Sequence, residues 1–347
     1  MEDAEWLQFL ADIETPPEEG RHDLEPGPQA ISEKAWLSAI SETVPFLLTP
    51  PDSNVNTPVE EREENTIVSV STAFLPDTVH TFVSGSPDLI IVSSDHVHFY
   101  VHKHQVLGAS ENGFNFLLGP ISIRQVPCTG TIITLPETST VINVILHIIY
   151  NVSCTHYSPS AGTMVQAVDT FPKYGIPISK YAAPSTPLFS HILSLAPYSS
   201  IEMYTLAASH DLEELAIPIS SHLLGYPLPE ISDDIAAKMG SIYLKRLITL
   251  HLNRLESLKE LLLSPPPPHV LSPTSRCSST EQQRVTRAWA LAAANLAWDA
   301  RPDLSTSAMI SKLSALGESL TCTLCRDTLH ERIKELCIQW SAVKTTI

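Results

Sequence analysis

The sequence predicts an α+β fold in which a β-hairpin and a short third strand are surrounded by helices. Two runs rich in apolar and β-branched residues, 88–92 and 97–101, flank a Ser-Ser-Asp turn, which is the pattern of a hairpin. A third β-rich run covers residues 131–135, and the chain beyond it has helical periodicity. At 347 residues and 43% apolar content, the chain can bury a sizeable core in two or three compact units.

An acidic arm precedes these elements. Residues 1–65 hold 16 acidic and 3 basic side chains, which accounts for most of the net charge of -17. This proline-studded segment is predicted to be mostly disordered, and an activation-like or docking segment is one interpretation. The other is that its short apolar turns pack on the rest of the protein or have no role. The remaining chain is nearly neutral and has no basic face, which argues against direct nucleic-acid binding.

The hairpin region is predicted in more detail. Residues 66–83 are β-branched but interrupted by Pro76, and we assign them no element. The second hairpin strand places three side chains on each face: Val97, Phe99 and Val101 on one, and His96, His98 and Tyr100 on the other. Residues 103–109 and 112–118 are predicted to be two short helices that follow the hairpin.

The rest of the chain is predicted to be helical. Apolar residues at helical spacing predict helices over 138–150 and 164–174, the second ending at a Gly-Ile-Pro break. Residues 188–263 show no convincing strand and contain several prolines that separate helices. The predicted organisation is a first domain over 66–182, a helical extension over 183–263, a Pro/Ser-rich linker over 264–280 and a helical C-terminal unit over 281–347.

This order of elements carries residues that resemble the BTB/POZ domain family. The matching segments are SPDLII at 86–91, VHKHQVL at 101–107, AS at 109–110, F at 114, FLL at 116–118, ITLPE at 133–137, IIY at 148–150 and AVDTFPKYGI at 167–176. The helical tail and the terminal cysteines look most like BTB proteins of mushroom-forming fungi. The resemblance implies a BTB/POZ-like fold, protein–protein interaction and no enzymatic activity.

The resemblance also implies roles for particular residues. His102, Lys103 and Leu107 match a His-Lys-x-x-x-Leu pattern in which the histidine starts a helix behind the hairpin and packs inside. Three aromatic residues match further landmarks of the fold: Phe114, Tyr150 and Tyr174. Asp88 and Lys103 match two charged residues that line a groove in dimeric transcriptional members. Here they either line such a groove or form an internal ion pair. We favour the ion pair, because a partly buried charge needs a partner.

The chain departs from the family pattern in two places. Residues 109–114 contain extra residues and a glycine where the family usually has proline, which implies a longer connection between the two short helices. Residues 66–83 lack the amphipathic period of the helix through which animal members dimerise, so the resemblance leaves homodimerisation open.

Four histidines lie close together at positions 96, 98, 102 and 104. His96 and His98 would point the same way on a strand, but no third ligand follows at a fixed spacing. No nucleophile motif accompanies them either. We therefore interpret these histidines as part of the fold and of the surface.

The terminal cysteines allow two interpretations. Cys322, Cys325, His330 and Cys337, with Cys277 as a distant ligand, could hold structural zinc. Alternatively, helical spacing places cysteine and apolar residues on one buried stripe: Cys322, Cys325, Leu329, Ile333, Leu336 and Trp340. We favour core packing, and we predict no metal and no cofactor.

The function that these observations favour is a protein-interaction module that recruits a partner or self-associates. The alternatives are a substrate adaptor of a cullin-type ubiquitin ligase and a transcriptional regulator that uses the acidic arm. The expected partners are other proteins, a cullin or a second copy among them, and neither nucleic acid nor membrane. The 12 glycines form no phosphate-binding loop and no nucleophile elbow occurs, which argues against an enzyme.

The location predicted from the sequence is intracellular, either cytoplasmic or nuclear. The N-terminus is acidic and lacks the basic and apolar regions of a secretion signal. No window approaches the roughly 18 apolar residues of a membrane span. The six cysteines are then expected to stay reduced.

Overall fold

A computed structural model describes residues 68–76, 85–119, 131–271 and 277–347. The acidic arm predicted over residues 1–65 lies outside the described residues. All of the described residues belong to one unit that spans Ile67–Ile347. The predicted division of this stretch into a first domain, an extension, a linker and a C-terminal unit stays a prediction.

The described strands form one mixed sheet, which shows the α+β class. Strands β2 (Leu89–Val92) and β3 (Val97–Val101) are antiparallel, with Leu89 opposite Val101 and Val92 opposite His98. Strand β4 (Thr131–Thr134) lies parallel to β2 on its other side. The short strand β1 (Ser69–Val70), in the segment that the sequence left unassigned, is parallel to β3. The order across the sheet is therefore β1-β3-β2-β4.

The turn between β2 and β3 is fixed by its own side chains. The N–H of Val97 donates to Ser93 Oγ at 2.9 Å, and both carboxylate oxygens of Asp95 accept from Ser139, from its N–H at 2.8 Å and its hydroxyl at 2.6 Å. His96 has a left-handed φ of 61° and belongs to this turn. The prediction that His96 shares a strand face with His98 and Tyr100 is therefore wrong.

The described helices follow the sheet strands and then occupy the rest of the chain. They are α1 (Lys103–Ala109), α2 (Ser139–Ile149), α3 (Ala161–Asp169), α4 (Ile178–Tyr181), α5 (Pro187–Leu195), α6 (Ser200–Ser209), α7 (Glu213–Ser220), α8 (Asp233–Met239), α9 (Ser241–Leu262), α10 (Ser279–Trp298), α11 (Thr306–Ser314) and α12 (Thr323–Ser341). As predicted, no strand interrupts the described residues beyond 183.

The second short helix predicted over residues 112–118 does not form. Four consecutive residues, 113–116, have left-handed φ angles between 56° and 66°, and the segment is a series of turns. Left-handed backbone cannot continue a right-handed helix. The helical spacing of the apolar residues in this segment was therefore misleading, because contacts with a distant loop set its backbone.

The core forms where the sheet meets α2. Alternate residues of the hairpin, among them Leu89, Ile91 and Phe99, are almost completely buried. Helix α2 is buried nearly all round, and α3 packs on it. Because nearly its whole circumference is buried, the sequence of α2 is the apolar run VINVILHII and not an amphipathic pattern.

Two buried arginines hold the last helices together. Arg254 of α9 donates to the carbonyls of Pro302, Val343 and Lys344 at 2.7, 2.8 and 3.1 Å. Arg332 of α12 donates to the carbonyls of Leu261 and Ser264 at the end of α9, at 2.7 and 2.9 Å. Both guanidinium groups thereby satisfy carbonyls outside regular helical bonding. Helix α9, which precedes residues 264–280, contacts both α10 and α12, which follow them.

Three buried histidines make the fold sensitive to acid. His147, His191 and His251 are each 5% exposed, and burial lowers the pKa of all three below the ordinary value of 6.5. Below pH 6.5 the unfolded chain therefore binds protons that the folded chain does not, and the folded state loses stability. Above pH 6.5 the stability contribution of these neutral rings is fully present.

We predict that the free energy of unfolding falls as the pH is lowered through about 6.5. Urea titrations at a series of pH values measure it. His191, whose two ring nitrogens have no hydrogen-bond partner, is the test position. The variant His191→Leu should show a shallower loss than the unmodified chain. An equally steep loss in His191→Leu would contradict the prediction.

Candidate functional site

His102 joins the hairpin to the helices behind it. It is 2% exposed and directly precedes α1. Its Nδ1 lies 2.9 Å from the hydroxyl of Tyr150, and its Nε2 lies 3.1 Å from the carbonyl of Gly85. Because a carbonyl can only accept, Nε2 carries the proton and Nδ1 accepts from the tyrosine. The same hydroxyl accepts the backbone N–H of His102 at 2.8 Å.

The hydroxyl of Tyr150 is held in its protonated form. Burial raises the pKa of Tyr150 to about 12, and the nearby charge of Asp88 acts in the same direction, against the lowering effect of the His102 backbone N–H. Tyr150 therefore remains a donor to His102 throughout the neutral range. One hydroxyl satisfies two polar groups of a buried residue.

Asp88 and Lys103 are joined by a side-chain-to-backbone hydrogen bond that the sequence did not predict. The carboxylate of Asp88 accepts the backbone N–H of Lys103 at 2.7 Å. The contact is with the first amide of α1, where a negative charge is favourable, and not with the ammonium group. The predicted internal ion pair is wrong because the side chain of Asp88 is exposed and its charge needs no buried partner.

A second cluster docks residues 110–118, which we call the Phe116 turn, onto the loop after α3. Phe114 is 1% exposed and stacks on Tyr174, with ring centroids 4.4 Å apart and an interplanar angle of 17°. The hydroxyl of Ser110 accepts the N–H of Phe114 and donates to the carbonyl of Tyr174, both at 2.7 Å. Backbone and side chain of the turn are thus fixed by the same loop.

Asn112 and Gly175 complete this contact. The amide oxygen of Asn112 accepts the N–H of Asn115 at 2.8 Å, and its nitrogen donates to the carbonyl of Lys173 at 3.0 Å. Gly175 has φ of 63°, and a Cβ there would lie 2.6 Å from Asn112 and 2.8 Å from its backbone nitrogen. Only glycine fits this position.

Glu137 binds two residues of the loop after α3. Its carboxylate accepts from the ammonium group of Lys173 at 2.5 Å and from the hydroxyl of Tyr174. Burial alone would raise the pKa of Glu137, but these two donors outweigh burial and the pKa is lowered. Burial raises the pKa of Tyr174, and the adjacent carboxylate of Glu137 reinforces this. The result is an ionised carboxylate that holds two consecutive residues.

The structure sorts the residues singled out in the sequence into two groups. Asp88, His102, Lys103 and Tyr150 lie at the start of α1, and Phe114 and Tyr174 form the stack under the Phe116 turn. Leu107 is half-buried on α1 and packs on the core. Sequence reasoning missed Ser110, Asn112 and Gly175 as members of one contact, although a glycine after Lys-Tyr was a visible signal.

The terminal cysteines do not all lie on one stripe. Helix α12 buries Cys325 and Cys337, but Cys322 precedes the helix as its N-cap and is half-exposed. The predicted apolar stripe therefore begins at Cys325. The five cysteines of the described residues are free thiols.

Four donor atoms meet at the start of α12. One atom of each of His269, Cys277, Cys322 and Cys325 lies within 4.8 Å of all the others. The sulfurs of Cys277 and Cys325 are 3.5 Å apart, and His269 Nε2 is 3.4 Å from the sulfur of Cys322. We call these residues the Cys/His cluster. His330 and Cys337, two candidates from the sequence, are not members.

The electrostatics of the cluster differ from residue to residue. The backbone N–H of Cys325 lowers the pKa of Cys322 to about 7. Burial raises the pKa of Cys325 to about 12. His269 Nδ1 lies 3.0 Å from the carbonyl of Val270, so Nδ1 carries the proton and Nε2 directs its lone pair at Cys322. The sequence did not reveal His269, since its spacing from the CxxC pair matches no regular motif.

We predict that Tyr150→Phe destabilises the fold by about 1–3 kcal/mol, since it removes the hydroxyl that bonds to the backbone N–H and to Nδ1 of His102. Urea denaturation measures this loss. The control is Tyr198→Phe, because Tyr198 is 89% exposed. Equal stability of the two variants would show that the hydroxyl of Tyr150 does not hold His102.

A second prediction compares two glycines. Gly175→Ala should destabilise the protein by about 2 kcal/mol or more, since it combines a left-handed φ with overlap against Asn112. Gly108→Ala, in helix α1 with nothing near its added Cβ, should instead be stabilising by about 0.5–1 kcal/mol. Thermal unfolding of both variants measures the difference. A melting temperature of Gly175→Ala equal to or above that of the unmodified chain would refute the proposed docking of the Phe116 turn.

Comparisons with protein-family models, with curated proteins and with solved structures gave no match to this chain. Among the helices of the described residues, none combines the length and the apolar character that crossing a bilayer requires.

Proposed function

We propose that this chain is a non-enzymatic protein-interaction module with a BTB/POZ-like domain over residues 66–182. Support comes from the sequence resemblance together with the order of elements: hairpin, helix α1, strand β4 parallel to β2, and then α2 and α3. The buried His102 at the start of α1 lies where the matching family pattern places a buried histidine. The proposed location is intracellular.

The observation that carries the proposal is the exposed tip of the Phe116 turn. Phe116 is 80% exposed and Leu117 is 45% exposed, although both belong to a segment whose base is buried and hydrogen-bonded. An aromatic side chain displayed on a rigid base can bind a partner with little loss of conformational entropy. This is the arrangement expected of an interface anchor.

The backbone of the turn strengthens the argument. Phe114, Asn115 and Phe116 are left-handed, at a cost of roughly 1–2 kcal/mol each. The Phe114–Tyr174 stack and the hydrogen bonds of Ser110 and Asn112 offset that cost. Strained backbone that the surrounding structure maintains is concentrated at functional positions. Here the strain orients Phe116 toward solvent.

The partner that fits this surface is another polypeptide. The exposed groups at the tip are apolar, and the hydroxyl of Ser110, at the base of the turn, already binds two backbone groups. The net charge of -17 disfavours a nucleic-acid partner. The two alternatives, a cullin-type adaptor and a transcriptional regulator, differ in which polypeptide binds here.

Site-specific cross-linking tests the proposal. The full chain would carry the photoreactive analogue p-benzoyl-phenylalanine in place of Phe116, in cells that express the protein. We expect a covalent adduct with a defined polypeptide, which mass spectrometry identifies. The matched control carries the analogue in place of Tyr198, an equally exposed aromatic elsewhere on the surface.

The companion variant is Phe116→Asp, which should weaken binding of the captured polypeptide by about 2 kcal/mol or more, or roughly thirtyfold. A second copy of the chain in the adduct indicates self-association, a cullin indicates an adaptor, and a component of the transcription machinery indicates a regulator. No adduct at position 116 above that at position 198 would refute the proposed surface.

A further inference from the structure

Three separate segments of the chain bring the Cys/His cluster together. His269 follows the polyproline segment after α9, Cys277 precedes α10, and Cys322 and Cys325 occupy the N-cap and the first turn of α12. The sulfur–sulfur and sulfur–nitrogen contacts join residues that are 48 and 53 positions apart. Such a meeting of four donor atoms is specified by the fold and not by local sequence.

The distances suit tetrahedral coordination. Zinc lies about 2.3 Å from sulfur and about 2.0 Å from nitrogen, which puts tetrahedral ligand atoms about 3.5–3.8 Å apart. The observed separations of 3.5 Å between Cys277 and Cys325 and 3.4 Å between Cys322 and His269 agree with that geometry. The remaining pairs, all within 4.8 Å, need only side-chain adjustments of about 1 Å or less.

The surroundings prepare the imidazole as a ligand. The carbonyl of Val270 accepts the Nδ1 proton of His269 and leaves the Nε2 lone pair directed into the cluster. Metal-binding histidines are characteristically oriented in this way by an acceptor on the other nitrogen. Gln282 of α10 donates to the carbonyl of His269 at 2.7 Å and fixes its backbone.

Core packing and a disulfide explain the cluster less well. Cys277 and Cys322 are half-exposed, so they do not behave as core residues, in contrast to Cys337, which is fully buried. A disulfide needs sulfurs about 2.0 Å apart and would leave one thiol and the imidazole of His269 without a role. Three thiols and one imidazole together complete a closed four-ligand shell.

We infer that His269, Cys277, Cys322 and Cys325 form a structural Zn²⁺ site. Thiolate and imidazole ligands in a tetrahedral arrangement are typical of zinc. Binding converts the three thiols to thiolates and releases the protons that they still carry. The ion would tie the segment after α9 and the start of α10 to the first turn of α12. This inference is independent of the interaction surface at Phe116.

Elemental analysis of the full chain is the first test. Protein purified under a non-thiol reductant should contain one zinc per chain. Replacement of zinc by Co²⁺ should produce visible d–d bands of a tetrahedral site and a near-ultraviolet thiolate-to-cobalt band. Reduced, folded protein that neither retains zinc nor acquires these bands would overturn the inference.

Variants locate the ion. Cys277→Ser and His269→Ala change residues outside the helices, and each should lower zinc affinity at least about tenfold in competition with a chelator. The controls are Cys337→Ala and His330→Ala, which lie outside the cluster and should retain one zinc per chain. Loss of zinc from either control, with retention in Cys277→Ser, would overturn the assignment of ligands.

A measurement that needs no variant checks the structural role. Removal of zinc by a chelator should accelerate amide hydrogen exchange at residues 269–271 and 277–278 and in the first turn of α12. Exchange in the hairpin should stay unchanged, because it lies in a separate part of the fold. Unchanged exchange at residues 269–271 and 277–278 after complete removal of zinc would refute the proposed tie.

Discussion

The hydrogen bonds between His102 and Tyr150 are the contact on which the first half of the structure depends. Tyr150 ends α2, and His102 connects β3 to α1. One hydroxyl therefore fixes the helix behind the sheet against the start of the helix beside it, while Nε2 reaches the segment before β2. Because His102 is almost completely buried, its polar atoms need hydrogen-bond partners within the protein. These bonds fix the start of α1, whereas the loop at Tyr174 fixes the Phe116 turn that follows.

Much of the fold was predictable because its signals are local. The hairpin, β4, α2 and the helical remainder follow from period-two and period-3.6 patterns within short windows. The errors arise where distant contacts override local preference. Residues 112–118 have helical spacing, but Tyr174 and Gly175, about sixty positions away, fix a left-handed backbone there. His96 has the pattern of a strand residue, but the bonds of Ser93 and Asp95 place it in a turn.

The Cys/His cluster, too, depends on contacts between residues that are far apart in the sequence. The Cys322–Cys325 pair was visible, because its two members are three residues apart, and it also fitted the apolar period of α12. From Cys325 onward that period is real, as the burial of Leu329, Ile333 and Trp340 shows. The metal-site and apolar-stripe interpretations differ in where they place Cys322. It is the N-cap of α12 and therefore lies outside the helical stripe. His269 could not be paired with Cys322 from the sequence, because helices α10 and α11 lie between them and the packing of these helices decides the distance.

Two irregular segments, the Phe116 turn and the residues directly after α9, are held by side chains from other parts of the chain. The Phe116 turn has no regular structure and is fixed by Ser110, Asn112 and the loop at Tyr174. Residues 264–271, directly after α9, also lack regular structure, and the carbonyls of Ser264 and His269 accept from Arg332 and Gln282. Regular elements satisfy their own backbone, whereas irregular ones need external donors and acceptors. Side chains that meet at such segments therefore serve two purposes, since the groups that fix the backbone are also placed to bind a partner or an ion. In this protein, both candidate sites lie where regular structure ends.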